Sequence, residues 1–223
     1  MRPAYGGLVF SVSACGGLRH EAGSKLSALA YLFRGANIFL FTFMNKHSMK
    51  NPMDLTQYIR TINHFPKRGV AFKDITPLLL DPKASRYCLD ALHEKVGRLA
   101  IDKVVAIESR GFFFGSMLAA RLGAGFVPIR KPGKLPYAIE REFYILEYGE
   151  DAVEIHKDAI QAGDKVLLHD DVLATGGTAK AACNLIQRLG GKVVQCNFIM
   201  ELTGLEGRKK LEGFSIESIL KYD

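Results

Sequence analysis

The apolar positions from residue 53 onwards recur with short, regular periods, and these periods predict helices and strands in alternation. Apolar residues between 84 and 99 return every three or four positions after Asp81 and Pro82, which is typical of a helix with one face on a core. The run at residues 104–107 is short and uninterrupted, which favours a buried strand. The segment therefore predicts a helix followed by a strand.

The same pattern continues to the end of the chain. Residues 54–62 predict a short helix that the sequence FPKRG at 65–69 breaks. Residues 131–148 follow no clean period, and we expect a mobile loop there. The remaining predicted elements are helices at Gly111–Leu122, 178–189 and 205–211, and strands at Gly125–Ile129, 166–168 and 193–200. This alternation predicts an α/β fold with a central, mostly parallel sheet that is flanked by helices.

The first 52 residues differ from this regular part, and we expect them to form a separate N-terminal extension before a domain at 53–223. An apolar run at 26–44 is interrupted by Arg34 near its middle, which argues against a membrane-spanning helix. Three interpretations stay open: translation from an upstream start, a basic targeting peptide, or a disordered extension. Alternative starts are available at Met44, Met49 and Met53.

Composition and charge narrow the class of protein. With 48% hydrophobic and 24% charged residues, the 223-residue chain can bury one sizeable core, which excludes a disordered or fibrous protein. The first 52 residues hold six Lys or Arg and one acidic residue, so most of the net charge of +7 lies there. A nucleic-acid-binding surface on the domain is therefore not indicated. Any anion site there must come from a local cluster such as Arg130, Lys131 and Lys134.

The four cysteines show neither a CxxC pair nor the spacing of metal ligands. Buried free thiols in a reducing compartment are the expected state. The residues concerned are Cys15, Cys88, Cys183 and Cys196.

The sequence VLLHDDVLATGGT at residues 166–178 carries the clearest chemical signal. A buried strand is predicted to end in Asp170 and Asp171, at the edge where open α/β sheets bind ligands. Paired carboxylates can accept hydrogen bonds from the two vicinal hydroxyls of a ribose. Gly176 and Gly177 allow a close approach of the backbone, and the following helix N-terminus favours a phosphate. An ordinary solvated turn with a threonine helix cap is the alternative.

This segment resembles the motif by which type I phosphoribosyltransferases bind 5-phosphoribosyl 1-pyrophosphate (PRPP). Three further segments resemble the adenine phosphoribosyltransferase family. Residues 65–77 are similar to its base-binding segment, residues 107–112 to its pyrophosphate loop, and residues 130–149 to its flexible hood. The resemblance covers residues 53–223 in the expected order.

The resemblance implies an enzyme that transfers the 5-phosphoribosyl group of PRPP to N9 of adenine, giving AMP and pyrophosphate in purine salvage. It also implies Mg²⁺, bound through the substrate phosphates and water, so that no cluster of protein ligands is expected. A cytoplasmic homodimer with neither a nucleic-acid partner nor a membrane partner is the expected state.

The catalytic residues and the PRPP contacts are assigned through the same resemblance. Glu147 is expected to accept a proton from adenine, and Arg110 is expected to hold the pyrophosphate. The peptide bond between Glu108 and Ser109 is often cis in this superfamily. The expected PRPP contacts are Ser109, Arg110, Lys131, Asp170, Asp171, Ala174, Thr175, Gly176, Gly177 and Thr178.

Adenine is expected to stack on Phe72, while main-chain groups of Ala71 and Lys73 read the edge of the base. Without the resemblance, Phe72 fits an ordinary core aromatic. Three residues depart from the family pattern, namely His169, Glu108 and Lys73. His169 should point away from Asp170, because side chains alternate along a strand.

Two other functions stay open on the sequence alone. One is transfer to hypoxanthine, guanine, xanthine or orotate, although the side-chain donor that those branches place near the C-terminus is not recognisable here. The other is a regulator that binds PRPP without catalysis and carries an N-terminal DNA-binding module. Residues 1–52 lack two well-capped helices joined by a turn, which argues against that module.

Overall fold

Five parallel strands form the central sheet, in the order β4-β3-β7-β8-β9. The computed structural model describes residues 52–146 and 149–223, apart from the side chain of Leu146. The strands are β1 (Arg60–Asn63), β2 (Ala71–Asp74), β3 (Lys103–Ile107), β4 (Gly125–Ile129), β5 (Ile139–Leu146), β6 (Gly149–His156), β7 (Lys165–Leu173), β8 (Lys192–Leu202) and β9 (Ile216–Tyr222). The predicted α/β fold with a parallel central sheet is thus confirmed. The acids Asp170 and Asp171 lie on β7, which is the middle strand of this sheet.

Helices cover both faces of this sheet. They are α1 (Thr76–Leu80), α2 (Pro82–Val96), α3 (Gly111–Leu122), α4 (Gly177–Arg188) and α5 (Gly207–Lys210), with 3-10 helices at Leu55–Tyr58 and Thr203–Leu205. α2 begins where the sequence predicts it, because the Asp81 carboxylate accepts hydrogen bonds from the amides of Lys83 and Ala84, both at 2.8 Å. It ends at Gly97, which has a φ of +64°.

The side chains of β7 alternate between two apolar clusters, one on each face of the sheet. Leu167 belongs to the cluster beneath α2 and α3, whereas Leu168 belongs to the cluster beneath α4. His169 returns to the α3 side, where its Nδ1 lies 3.2 Å from the side-chain oxygen of Asn197. Burial lowers the pKa of His169 to about 4, so this histidine is neutral at pH 7.

The prediction of a helix at residues 54–62 is wrong for most of that segment. The 3-10 helix Leu55–Tyr58 is followed by β1, which pairs antiparallel with β2. Pairing brings Arg60 opposite Asp74, and their side chains form an ion pair at 2.7 Å. Strand pairing across the turn at 65–69 overrides the local helical pattern, while the predicted break at that turn is confirmed.

The loop predicted at residues 131–148 is wrong over its second half, because β5 and β6 form an antiparallel hairpin. Phe143 and Ile145 are exposed on β5, whereas Tyr144 between them is buried. A strand that carries apolar side chains on its outer face lacks the alternation that identifies strands in a sequence. The edge strand β9 was not predicted either.

Contacts group Met53–Asp223 into one unit. Residues 1–51 lie outside the described residues, so the extension predicted there stays a prediction. Cys88, Cys183 and Cys196 are buried free thiols, as predicted, whereas Cys15 lies outside the described range. Within the described ranges, no helix has the length and apolar content that a membrane crossing requires.

Candidate active site

β7 runs further than the sequence predicts. Asp170 and Asp171 lie inside the strand, which continues to Leu173. The reason is its neighbour β8, which keeps pairing with β7 as far as Leu173. The turn is therefore confined to residues 174–176, and α4 begins at Gly177, one residue earlier than predicted.

The turn between β7 and α4 surrounds a pocket of about 140 Å³. Gly176 precedes α4 with a φ of +76°, a left-handed conformation that favours glycine. Within the described part of the chain, no side chain caps α4, so its first amides stay available to a ligand. The pocket is lined by Asp170, Val172, Leu173, Ala174, Thr175, Gly176, Gly177, Thr178 and Ala179. Free amides at the positive end of a helix dipole suit a phosphate.

Asp171 is 1% exposed, and its Oδ2 atom has no aligned hydrogen-bond donor among the described residues. The Nε atom of Arg110 lies 3.1 Å from this oxygen and supplies charge without a well-directed hydrogen bond. Burial and the neighbouring Asp171 charge raise the pKa of Asp170 well above its ordinary value. Burial also raises the pKa of Asp171, although Arg110 opposes this shift. A buried acceptor without a donor fits a ligand hydroxyl.

The Asp171→Asn variant is expected to bind PRPP about 10- to 100-fold more weakly, because a hydrogen bond to a charged group is lost. A raised pKa means that folding favours the protonated carboxyl. The protonated Asp171 carboxyl therefore stabilises the fold at pH values below its pKa in the unfolded chain, which is near 3.8. This stabilisation is lost as the pH rises through the higher pKa of Asp171 in the folded protein. Asparagine avoids that loss, so the variant should melt at a higher temperature than the wild type at pH 7 but not at pH 3.5.

Calorimetric titration with PRPP and thermal melting at the two pH values measure both effects. Asp158→Asn is the matched control, because Asp158 is an exposed carboxylate in a turn outside the site. Unchanged PRPP affinity in Asp171→Asn would remove the assignment of this carboxylate to the ribose hydroxyls.

Arg110 joins the acidic strand to the predicted base-binding segment. Its Nη1 atom donates a hydrogen bond to the Lys73 carbonyl oxygen at 3.0 Å, and its guanidinium lies 4.7 Å from the centre of the Phe72 ring. The Phe72 ring also meets Phe65 edge-on, with 5.2 Å between ring centres. Phe72 is half-buried and belongs to neither apolar cluster, so it is not a core aromatic. Phe72, Lys73, Arg110 and Asp171 therefore lie together, although they come from three distant segments of the sequence.

The segment that resembles a pyrophosphate loop is organised around Glu108. The Glu108–Ser109 peptide bond is cis, as the resemblance implies. Burial would raise the pKa of Glu108, but hydrogen bonds from Lys134, the Lys131 amide and Arg130 bring that pKa to about 2. The predicted cationic cluster is therefore partly neutralised by this carboxylate.

The side chain of Lys131 contacts the hairpin of β5 and β6 in this conformation, although its backbone amide contacts Glu108. Its ammonium forms an ion pair with Asp151 and donates to the Tyr144 hydroxyl at 2.6 Å. Burial would lower the pKa of Lys131, but these two partners raise it overall. A Cβ atom placed on Gly177 would lie 3.4 Å from the Tyr144 ring, so the hairpin that holds Lys131 approaches the start of α4.

Glu147, the predicted proton acceptor, lies outside the described residues. The Ile145 carbonyl oxygen, two residues earlier in the chain, would lie 3.8 Å from a Cβ atom on Gly177. Two residues that the sequence did not single out, Gly207 and Lys210, also lie against this turn. Neither belongs to a motif, and the contacts that bring them there are long-range.

A parallel sheet whose middle strand carries paired acids and leads through a glycine-containing turn into a helix defines the class of type I phosphoribosyltransferases. A model of the phosphoribosyl transferase domain family matches residues 83–219. An adenine phosphoribosyltransferase of Christiangramia forsetii is 59% identical over 170 residues, which cover 76% of this chain and 99% of that protein. The chain belongs to the adenine phosphoribosyltransferase family.

Solved structures agree with this membership. The crystal structure of adenine phosphoribosyltransferase from Rhodothermus marinus matches with a TM-score of 0.73 and 54% identity, over 75% of this chain and 96% of that one. The Saccharomyces cerevisiae enzyme, crystallised with an imino-altritol bisphosphate and adenine, matches with a TM-score of 0.70 and 42% identity. That match covers 74% of this chain and 95% of the yeast chain.

Proposed function

We propose that this protein transfers the 5-phosphoribosyl group of PRPP to N9 of adenine, forming AMP and pyrophosphate in purine salvage. The observation that carries the proposal is the arrangement around Arg110. This residue contacts Phe72 and Lys73 on one side and Asp171 on the other. A base on Phe72 and a ribose on the acidic strand would therefore be neighbours, as bond formation between them requires.

The chain's own residues account for the recognition of PRPP. Asp170 and Asp171 accept hydrogen bonds from the two ribose hydroxyls, and the first amides of α4 bind the 5-phosphate. Ser109 and Arg110 hold the pyrophosphate, with Lys131 approaching it when residues 130–149 close. Closure requires Lys131 to leave Asp151, its partner in the present conformation.

Transfer proceeds at C1 of the ribose. As the bond to pyrophosphate breaks, the leaving oxygen keeps the electron pair and the ribosyl centre gains oxocarbenium character. N9 of adenine forms the new bond at C1, and Glu147 accepts the proton that adenine loses, at its N7 edge. Phe72 and the main chain of Ala71 and Lys73 orient the base for this attack.

Mg²⁺ is the proposed cofactor. Among the described residues there is no group of three His, Cys, Asp or Glu side chains that could hold a metal ion. The buried Asp171 Oδ2 atom, which has no aligned donor in the same part of the chain, can accept a hydrogen bond from a metal-bound water. When bound, the ion neutralises charge on the leaving pyrophosphate.

A cytoplasmic homodimer is also proposed, on the basis of the resemblance to the family. The buried free thiols of Cys88, Cys183 and Cys196 are consistent with a reducing compartment. Light scattering after size-exclusion chromatography would measure the oligomeric state.

A comparison of bases tests the reaction directly. With PRPP and Mg²⁺, adenine is expected to give AMP, whereas hypoxanthine, guanine and orotate should react roughly 10²-fold more slowly or not at all. Absorbance and chromatography of the nucleotide products measure these rates. Faster transfer to another base would contradict the assignment of adenine. Tight PRPP binding without transfer to any base would instead favour a PRPP-sensing regulator.

A further inference from the structure

The short helix α5 touches the phosphate-binding turn, although it lies some thirty residues further along the chain. A Cβ atom placed on Gly207 would lie 2.2 Å from the Ala174 carbonyl oxygen and 3.1 Å from the Gly176 amide nitrogen. In turn, a Cβ atom on Gly176 would lie 2.5 Å from the Gly207 carbonyl oxygen. The backbones of α5 and the turn are therefore in direct contact, with no room for a side chain between them.

The position of α5 is fixed from its other side by an ion pair. Arg208 donates to both carboxylate oxygens of Glu201, at 2.6 and 2.8 Å, in a bidentate arrangement. Glu201 is 4% exposed and also accepts a hydrogen bond from the Ser218 hydroxyl at 3.1 Å. Because both strands that carry these partners belong to the central sheet, α5 is held against the turn by the core of the domain.

This placement brings the ammonium group of Lys210 close to the start of α4. Its Nζ atom would lie 3.9 Å from a Cβ atom on Gly177, the first residue of α4. No carboxylate within the described ranges lies at ion-pair distance from Lys210. The adjacent Lys209 differs, because its Nζ atom is 2.7 Å from Glu206. Within the described residues, the turn thus has a neighbouring cation that forms no ion pair with a carboxylate.

We propose that Lys210 is a direct ligand of the 5-phosphate of PRPP and AMP, an inference that rests on the proposed function of the turn. A phosphate monoester carries close to two negative charges at pH 7, and amide groups alone supply only partial positive charge. In loops of the GxxxxGK[ST] type, a lysine of the loop itself supplies the full charge. Here the turn has no lysine of its own, and α5 supplies one from a later part of the chain.

A pair of ligands that differ only in the phosphate tests this role. The full-length Lys210→Met variant should bind AMP about 10- to 100-fold more weakly than the wild type, because a charge-assisted hydrogen bond is lost. Its affinity for adenosine, which lacks the phosphate, should stay within about twofold. Lys209→Met is the matched control, with unchanged affinity for both ligands. Lys210→Arg should recover part of the AMP affinity, because arginine keeps the charge.

Calorimetric titrations at one fixed salt concentration, together with the melting temperature of each variant, distinguish the outcomes. AMP affinity in Lys210→Met equal to that of Lys209→Met would overturn the assignment while leaving the proposed reaction intact. Equal losses for AMP and adenosine, with a lower melting temperature, would also overturn it, because they indicate a structural effect. A wild type that binds AMP in a Lys210-dependent way but forms none from adenine and PRPP would support the assignment and contradict the reaction.

Discussion

The Glu147→Gln variant is expected to lose about 10²- to 10⁴-fold in kcat, the range that a positioned proton acceptor contributes. The amide of glutamine preserves the shape of the side chain but cannot accept the proton that adenine releases. PRPP affinity should change by no more than about threefold, because the ribose and phosphate contacts assigned to Asp170, Asp171 and the turn stay intact. AMP formation followed by absorbance gives kcat, and titration with PRPP gives the affinity.

Glu150→Gln is the matched control, because Glu150 is an exposed carboxylate on β6 close to Glu147 in the sequence. Its turnover should equal that of the wild type, which would show that the loss is specific to Glu147. Turnover of Glu147→Gln within threefold of the wild type would remove Glu147 from the mechanism. The proton would then have to leave adenine directly to water or to another group.

The central sheet could be predicted because its buried strands are visible in the sequence as short apolar runs. Residues 104–107 and 166–168 are short apolar runs, which is typical of parallel strands covered on both faces. The hairpin of β5 and β6 gives no such signal. Phe143 is 62% exposed and Ile145 is 78% exposed, so apolar residues there do not mark the interior. The local pattern at β1 predicts a helix, because the pairing of β1 with β2 is a tertiary effect that this pattern does not contain.

Some features of the candidate site are local and can be predicted from one segment of the sequence, whereas others depend on long-range contacts. The acids of β7 and the turn at 174–176 are contiguous, so their chemistry can be read from one segment. The end of β7 could not be read, because its length depends on pairing with β8. The hydrogen bond from Arg110 to the Lys73 carbonyl spans 37 positions in the sequence. The local pattern of neither segment indicates that the two residues are in contact. Only resemblance to a family placed both residues in one site.

The contact between Gly207 and the turn is the feature least visible in the sequence, and it makes Gly207→Ala the most damaging small substitution in α5. The added methyl group would lie 2.2 Å from the Ala174 carbonyl oxygen, well inside contact distance. Because a relaxed C···O contact needs about 3.3 Å, the turn or α5 must move by roughly 1 Å. Misplacement of that size can cost about 10²-fold in rate, and overpacking typically costs about 1–3 kcal/mol of stability.

The Gly207→Ala variant is therefore expected to lose about 10²-fold in kcat/KM for PRPP, with a lower melting temperature. Gly204→Ala is the matched control, since no described atom lies within 4 Å of a Cβ atom at that position. The added methyl group there should leave both quantities near their wild-type values. Wild-type kinetics in Gly207→Ala would mean that the turn moves aside without harm to the phosphate site. In that case the close backbone contact would not set the geometry of the proposed 5-phosphate site.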